Sequence, residues 1–173
     1  MKMNEGVEWA AHCAVLLAAL PAGATLPAAR LAEYHDVPAP YLAKSLQALM
    51  RAGIVDAVTG RFGGYRLARP PAEITMLDIV QAIDGTDPMF RCTELRRRGP
   101  TKVAQRLYGP RCGIAAAMGQ AEEAWQEELR RTTVADIARH VVAEAPPTAL
   151  EKGMAWLSDV LSIRSSSSRP AGS

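Results

Sequence analysis

The stretch Leu31-Ala32-Glu33-Tyr34-His35-Asp36-Val37-Pro38-Ala39-Pro40-Tyr41-Leu42-Ala43-Lys44-Ser45-Leu46-Gln47-Ala48-Leu49-Met50 decides the fold. Pro27 can occupy the first turn of a helix over Ala28–Tyr34, with Leu31 as its core residue. His35-Asp36-Val37-Pro38 is a short turn, and a second helix runs from about Pro40 to Ala52, ended by Gly53. Its apolar residues Leu42, Leu46, Leu49 and Met50 recur at helical spacing. Leu31, Val37, Leu42 and Leu46 would lock the two helices across the turn, leaving Tyr41, Lys44, Ser45 and Gln47 on an outer face. Helix, tight turn, helix is the arrangement that enters a DNA major groove. Gln and Ser can pair base edges, while Lys and Tyr can hold phosphates.

Outward from that pair, Ile54–Val58 and Tyr65–Ala68 read as two strands around the glycine-rich turn Thr59-Gly60-Arg61-Phe62-Gly63-Gly64. That hairpin supplies a wing, with Arg61 at its tip as a further DNA contact. Upstream, Val7–Leu20 is helical. Downstream, Thr75 can cap a helix at Met76–Ile83. Residues 86–112 have no sustained period, and a loop of that length is usually functional or disordered. Ile114–Val142 reads as one long helix with the stripe Ile114, Met118, Ala121, Trp125, Leu129, Ile137 and Val141, suited to a partner helix. Pro146-Pro147 breaks it, a short helix Leu150–Ile163 follows, and the serine run after it reads as a disordered tail.

The expected class is mainly α with a small β-hairpin wing. Residues 1–85 form a winged helix-turn-helix, 86–112 a loop, 113–145 a dimerisation helix, 146–163 a C-terminal helix and 164–173 a tail. Charge follows the same division. The net charge of the 173 residues is +2, yet residues 91–111 hold seven bases against Glu94, and 112–163 hold four bases against eight acids. A basic half that meets a polyanion stands beside an acidic helical arm. Three cysteines do not make a disulfide scaffold. No basic leader precedes the apolar stretch Cys13–Leu20, which is too short to span a bilayer, so cytoplasmic placement and no membrane partner are expected. No nucleophile elbow, zinc-protease helix or nucleotide-binding glycine loop is visible, which argues against an enzyme.

Cys92 and Cys112, separated by 19 residues in an arginine-rich loop, are hard to explain by apolar packing. Cys13 reads as a small buried residue of the first helix. Two thiolates could take one iron of a [2Fe–2S] cluster, and nitrogen or oxygen donors the other, as in Rieske centres. From the residues alone the candidates for those donors are Glu5, Glu8, His12, His35 and Asp36.

The string Leu31-Ala32, Val37-Pro38, Tyr41-Leu42, Ala52-Gly53-Ile54-Val55, Gly63-Gly64-Tyr65, Pro70-Pro71 and Ile83-Asp84-Gly85 resembles the bacterial winged-helix repressors typified by IscR and NsrR. The resemblance runs from about residue 5 to residue 140. It implies a homodimeric transcription factor bound to a double-stranded DNA operator. The better-known members ligate their cluster with three closely spaced loop cysteines, which this sequence lacks. Val7-Glu8-Trp9-Ala10 with Glu33-Tyr34-His35-Asp36-Val37 resembles instead the redox-sensing RsrR-like branch of the family. That resemblance implies a [2Fe–2S] cluster held by Cys92 and Cys112 of one subunit and Glu8 and His35 of the other. Redox change would then alter DNA affinity, with Trp9, on the helix of Glu8, as the relay. The competing reading is a cluster-free regulator with a cysteine thiol switch. A metal- or thiol-dependent enzyme is more remote.

Overall fold

The computed structural model describes residues 3–60, 63–100, 102–108 and 112–166. Its elements run α1 (Glu5–Ala18), α2 (Ala28–His35), α3 (Ala39–Arg51), β1 (Val55–Val58), β2 (Gly64–Leu67), α4 (Met76–Asp84), α5 (Gly113–Arg131), α6 (Val134–Glu144) and α7 (Pro147–Ser166). This is the mainly helical winged-helix class that the helix pair and hairpin predict.

Local chemistry explains the boundaries. Asn4 caps α1 by accepting the Gly6 N–H at 2.9 Å. Asp36 ends α2 in the left-handed region at φ 50°, which Asp tolerates, and Val37 N–H returns to Ala32 O at 3.0 Å. β1 and β2 pair antiparallel, Val55 opposite Leu67 and Val58 opposite Gly64. The wing is stitched to the body by a reciprocal bridge, Leu26 N–H to Tyr65 O at 2.9 Å and Tyr65 N–H to Leu26 O at 2.7 Å.

Gly64 makes that stitch possible. At φ +155° a Cβ would stand 2.5 Å from the Leu26 carbonyl carbon and 2.6 Å from its oxygen, both rigid backbone atoms. Gly64→Ala is expected to destabilise the protein by about 1–3 kcal/mol, because strand and bridge must separate. Urea unfolding measures this, and an unchanged midpoint would contradict the reading.

The core gathers Leu26, Leu31, Leu42, Leu46, Leu49, Ile54, Val55, Ile74, Ile79 and Val134, all fully buried. Helix α1 lies through it against α3, α4 and α6 and buries Val7, Ala10, Cys13, Ala14, Leu16 and Leu17. Leu31, Leu42 and Leu46 lock the helix pair as their spacing predicts, with Val37 packed at the edge. Met50 is instead exposed, since Leu49 takes the inward position.

Two segments correct the sequence reading. The single helix predicted over Ile114–Val142 is two helices, because Thr132 and Thr133 are extended. There the chain pairs with the start of α4: Met76 N–H donates to Thr132 O and Val134 N–H to Ile74 O, each at 2.8 Å. The signal for the break is local. Thr133-Val134-Ala135-Asp136 forms a capping box, the same device as Thr75 with Asp78 at the start of α4. Helix α6 then folds back onto α1, burying Val134, while α5 has no buried residue over its 19 positions. The last helix is also longer than expected. It starts at Pro147, and of the predicted tail 164–173, residues 164–166 continue it while 167–173 lie outside the described residues. Among the described residues no helix is long and apolar enough to cross a membrane.

Candidate DNA-binding face and thiol–imidazole site

Helix α3 presents Tyr41, Lys44 and Gln47 outward, three residues apart and all exposed. Lys44 Nζ stands 5.5 Å from the centre of the Tyr41 ring, a cation–π contact that keeps the ammonium near the helix surface. Tyr41 in turn meets Trp9 edge-on, ring centres 6.5 Å apart at 70°. Trp9 is half-buried on the core, so α1 and the outer face of α3 touch through these two rings. A cleft of 530 Å³ opens beside them, lined by Trp9, Tyr41, Lys44 and Arg51 among others.

Ser45 corrects the sequence reading. Expected on the outer face, it is 6% exposed and turned toward α1, where a Cβ on Gly6 would come within 3.2 Å of its hydroxyl. It sits one position round from Lys44, at the seam between helices. Arg61, expected at the wing tip, lies outside the described residues. Arg66 and Arg69 are in the hairpin and its exit. Arg69 is engaged with Glu73 O at 2.9 Å and Asp78 at 3.3 Å, which leaves less of it for a phosphate.

The loop between α4 and α5 is organised around a carboxylate. Glu94, itself at φ 53°, takes Arg96 at 2.8 Å and Arg97 at 3.0 Å. Its backbone N–H points at Cys92 Sγ, 3.4 Å away. Tyr108 ties the two halves of the loop: its hydroxyl donates to Arg96 O at 2.5 Å, and the Arg96 guanidinium lies 5.3 Å from its ring centre. The hydrogen bond from Arg96 holds Glu94 below its ordinary pKa.

Cys112 sits at the N-cap of α5 and within hydrogen-bonding reach of Cys92. The two loop cysteines, with 19 residues between them in sequence, are thus brought together. The backbone N–H groups of Ala115 and Ile114 at the helix start, with Cys92 and Arg96 beside it, hold the Cys112 thiol below its ordinary pKa. Cys13 is the opposite case. It is fully buried in α1, and burial pushes its thiol up to about 12, the state of a packing residue.

Glu8 and His12 lie one turn apart on the exposed side of α1. His35, the last residue of α2, is half-buried and faces both His12, at 5.5 Å between ring centres, and Tyr34, at 5.0 Å. Its Nε2 is buried with no hydrogen-bond partner. Burial first, and then the neighbouring His12, hold His35 below its ordinary pKa. Among the described residues no three or more His, Cys, Asp or Glu side chains are grouped as a metal site within one chain. Within one protomer the thiol pair before α5 and the imidazole at the end of α2 therefore stand apart. The helix-turn-helix and the cysteine pair were readable from the sequence. The packing of Tyr34 against the last helix was not, because no local pattern links residues so far apart.

Comparison with known proteins agrees with this architecture. The family model described as Rrf2, iron-dependent transcriptional regulator, matches residues 3–140. The HTH-type regulator Rv1287 of Mycobacterium tuberculosis is 30% identical over 147 residues, which cover 83% of this chain and 85% of its own. Two solved structures share the fold at 21% identity. CymR, the global cysteine regulator of B. subtilis, has a TM-score of 0.65 over 81% of this chain and 98% of its own. T. potens IscR has a TM-score of 0.63 over 84% and 93%.

Proposed function

The chain belongs to the Rrf2 family of DNA-binding transcriptional regulators, and from that premise we propose that it is a homodimeric repressor that senses redox state through a [2Fe–2S] cluster shared between subunits. The observation that carries this reading is the pair of incomplete half-sites. Cys92 and Cys112 stand together with a thiol already biased toward thiolate, and His35 keeps an unpartnered buried nitrogen. The donor set fits a cluster that takes Cys92 and Cys112 from one subunit and Glu8 and His35 from the partner subunit. A cluster of this kind supplies one-electron redox chemistry, at a potential that nitrogen and oxygen donors raise. The chain's own residues do the rest. Arg96 places positive charge beside the thiolates, and the loop pinned by Glu94 and Tyr108 holds the cysteines ready.

Dimerisation uses α5. None of its 19 residues is fully buried in the protomer, where it packs on α4, and Ile114 and Met118 are exposed at 67% and 44%. An amphipathic helix in that state is completed by a twin. Tyr41, Lys44 and Gln47 enter the major groove, with Arg61 in the wing as a fourth contact. Trp9 relays the state of the ligand-bearing helix to the recognition helix through its contact with Tyr41. Two recognition helices must match half-sites about one DNA turn apart, so a small change in their separation changes affinity strongly. A regulator of this kind works in the cytoplasm.

A band-shift titration of anaerobic protein, oxidised and then reduced, tests the proposal. The two states are expected to differ in operator affinity by about 5–150-fold, as coupling free energies of about 1–3 kcal/mol produce. Equal affinities would remove redox sensing while leaving DNA binding. The proximity of Cys92 and Cys112 favours one second reading, an iron-free thiol switch in which these two close a disulfide. Protein purified without iron or sulfide, yet responding to oxidant, would select it.

A further inference from the structure

The last helix, α7, is not accounted for by the DNA-reading face or the dimer arm, and it lies beyond the matched residues 3–140. It does not hang free. Val160 is 5% exposed in the core, with Trp156 and Leu157 packed beside it. From that anchor Trp156 reaches α2 at two adjacent residues. Its ring lies 4.9 Å from the Tyr34 ring, and it lies beside the Glu33 carboxylate. One turn earlier, Gly153 leaves room for the Tyr34 hydroxyl, which would stand 2.9 Å from an added Cβ. Tyr34 then meets His35 edge-on at 5.0 Å.

We infer that α7 is a clasp that positions the His35 ring, acting through Tyr34, with Gly153 and Trp156 as the positioning residues on the clasp. Resting on the cluster reading above, the inference assigns the C-terminal helix a role in ligand geometry.

The physical need is clear from where His35 stands. It is the final residue of a helix of 8 residues with no side-chain N-cap bond, followed at once by a left-handed residue. A helix so short gains little stability from its own hydrogen bonds, and its last side chain is free to change rotamer unless packing prevents it. His12, 5.5 Å from the ring centre, has no backing ring of its own among the described residues and restrains it weakly. Tyr34 is partly open to solvent, 39% exposed, so what fixes its ring is the Trp156 ring packed against it. Metal-ligating imidazoles depend on outer contacts that hold ring orientation, and losing such contacts typically costs about 10–100-fold in metal affinity.

Full-length Trp156→Ala, Trp156→Phe, Gly153→Val and His35→Ala test this. Two readouts are taken. One is the electron paramagnetic resonance spectrum and iron affinity of the reduced, cluster-loaded protein. The other is the His35 ring resonance in iron-free protein, assigned by its loss in His35→Ala. Trp156→Ala and Gly153→Val are expected to shift or broaden that resonance and to lower iron affinity about 10–100-fold. Trp156→Phe, which keeps a ring against Tyr34, is expected to restore both. A wild-type ring resonance and wild-type spectrum in Trp156→Ala or Gly153→Val would overturn the clasp. Should Trp156→Ala fail to fold, Gly153→Val decides, since it pushes only on Tyr34. If His35→Ala keeps the wild-type cluster spectrum, the ligand reading fails. The iron-free resonance still decides whether α7 holds the ring.

Discussion

Leu46→Ala is expected to lower the free energy of unfolding by about 2–5 kcal/mol, the range for truncating a buried leucine. Leu46 is fully buried at the middle of α3, in the cluster that joins α3 to α1 and α2. Truncation removes three side-chain carbons from contact and leaves a cavity that helices on several sides cannot close. A domain of this size is stable by only about 5–15 kcal/mol, so the variant would sit near the edge of folding. Gln47→Ala, one residue on and exposed, provides the control, with an expected change within about 0.5 kcal/mol. Urea unfolding followed by circular dichroism separates them. Similar midpoints for the two variants would mean that α3 is not packed by the face described. Operator affinity should move in the opposite order: Gln47→Ala weakens binding while the protein stays folded.

Cys112→Ser is expected to abolish iron and sulfide retention and the visible absorbance that accompanies them. A serine hydroxyl cannot supply the thiolate that iron ligation needs. The position is sensitive because Cys112 holds three roles together. It stands at the N-cap position of α5, lies beside Cys92, and draws its acidity from the helix N-terminus and Arg96. Serine is a good N-cap, so α5 should survive and the loss should be confined to the metal. Cys13→Ser is the matching control. It buries a hydroxyl in the core of α1, so it costs stability while leaving iron bound. Iron and sulfide per protomer, measured anaerobically, decide. Full occupancy in Cys112→Ser would discard the two-cysteine half-site. Retained oxidant response without iron in wild type, lost in both Cys92→Ser and Cys112→Ser, would instead establish the disulfide switch.

The two variants probe parts of the molecule that were unequally legible. Leu31, Leu42 and Leu46 announce themselves by helical spacing around a turn, and the structure buries all three. The hairpin followed from glycines between two short strands, and the reason for Gly64 is visible only as a carbonyl of Leu26 standing where a side chain would go. Ser45 was misplaced because spacing alone does not tell a residue facing the groove from one a single position round, at the helix seam. The helix after the loop was overextended for a related reason. An apolar stripe continues across Thr132 and Thr133, and periodicity outvoted a four-residue capping box that reads correctly once noticed. The cysteines stood out because they had no packing role in a basic loop, but their approach to one another depends on the turns built around Glu94 and Tyr108.

What the sequence by itself determined is the winged helix, the outward row Tyr41, Lys44 and Gln47, and the short set of residues able to bind a metal. Each of these is written in neighbours a few positions apart, where period, capping and turn chemistry act. What only the tertiary structure decided is that α6 folds back onto α1, which way Ser45 turns, and that Trp156 packs on Tyr34 beside His35. Those depend on contacts between residues far apart in the chain, or on the competition between two faces of one helix. Packing settles them, because only the folded chain sets which buried surface is the better one to cover.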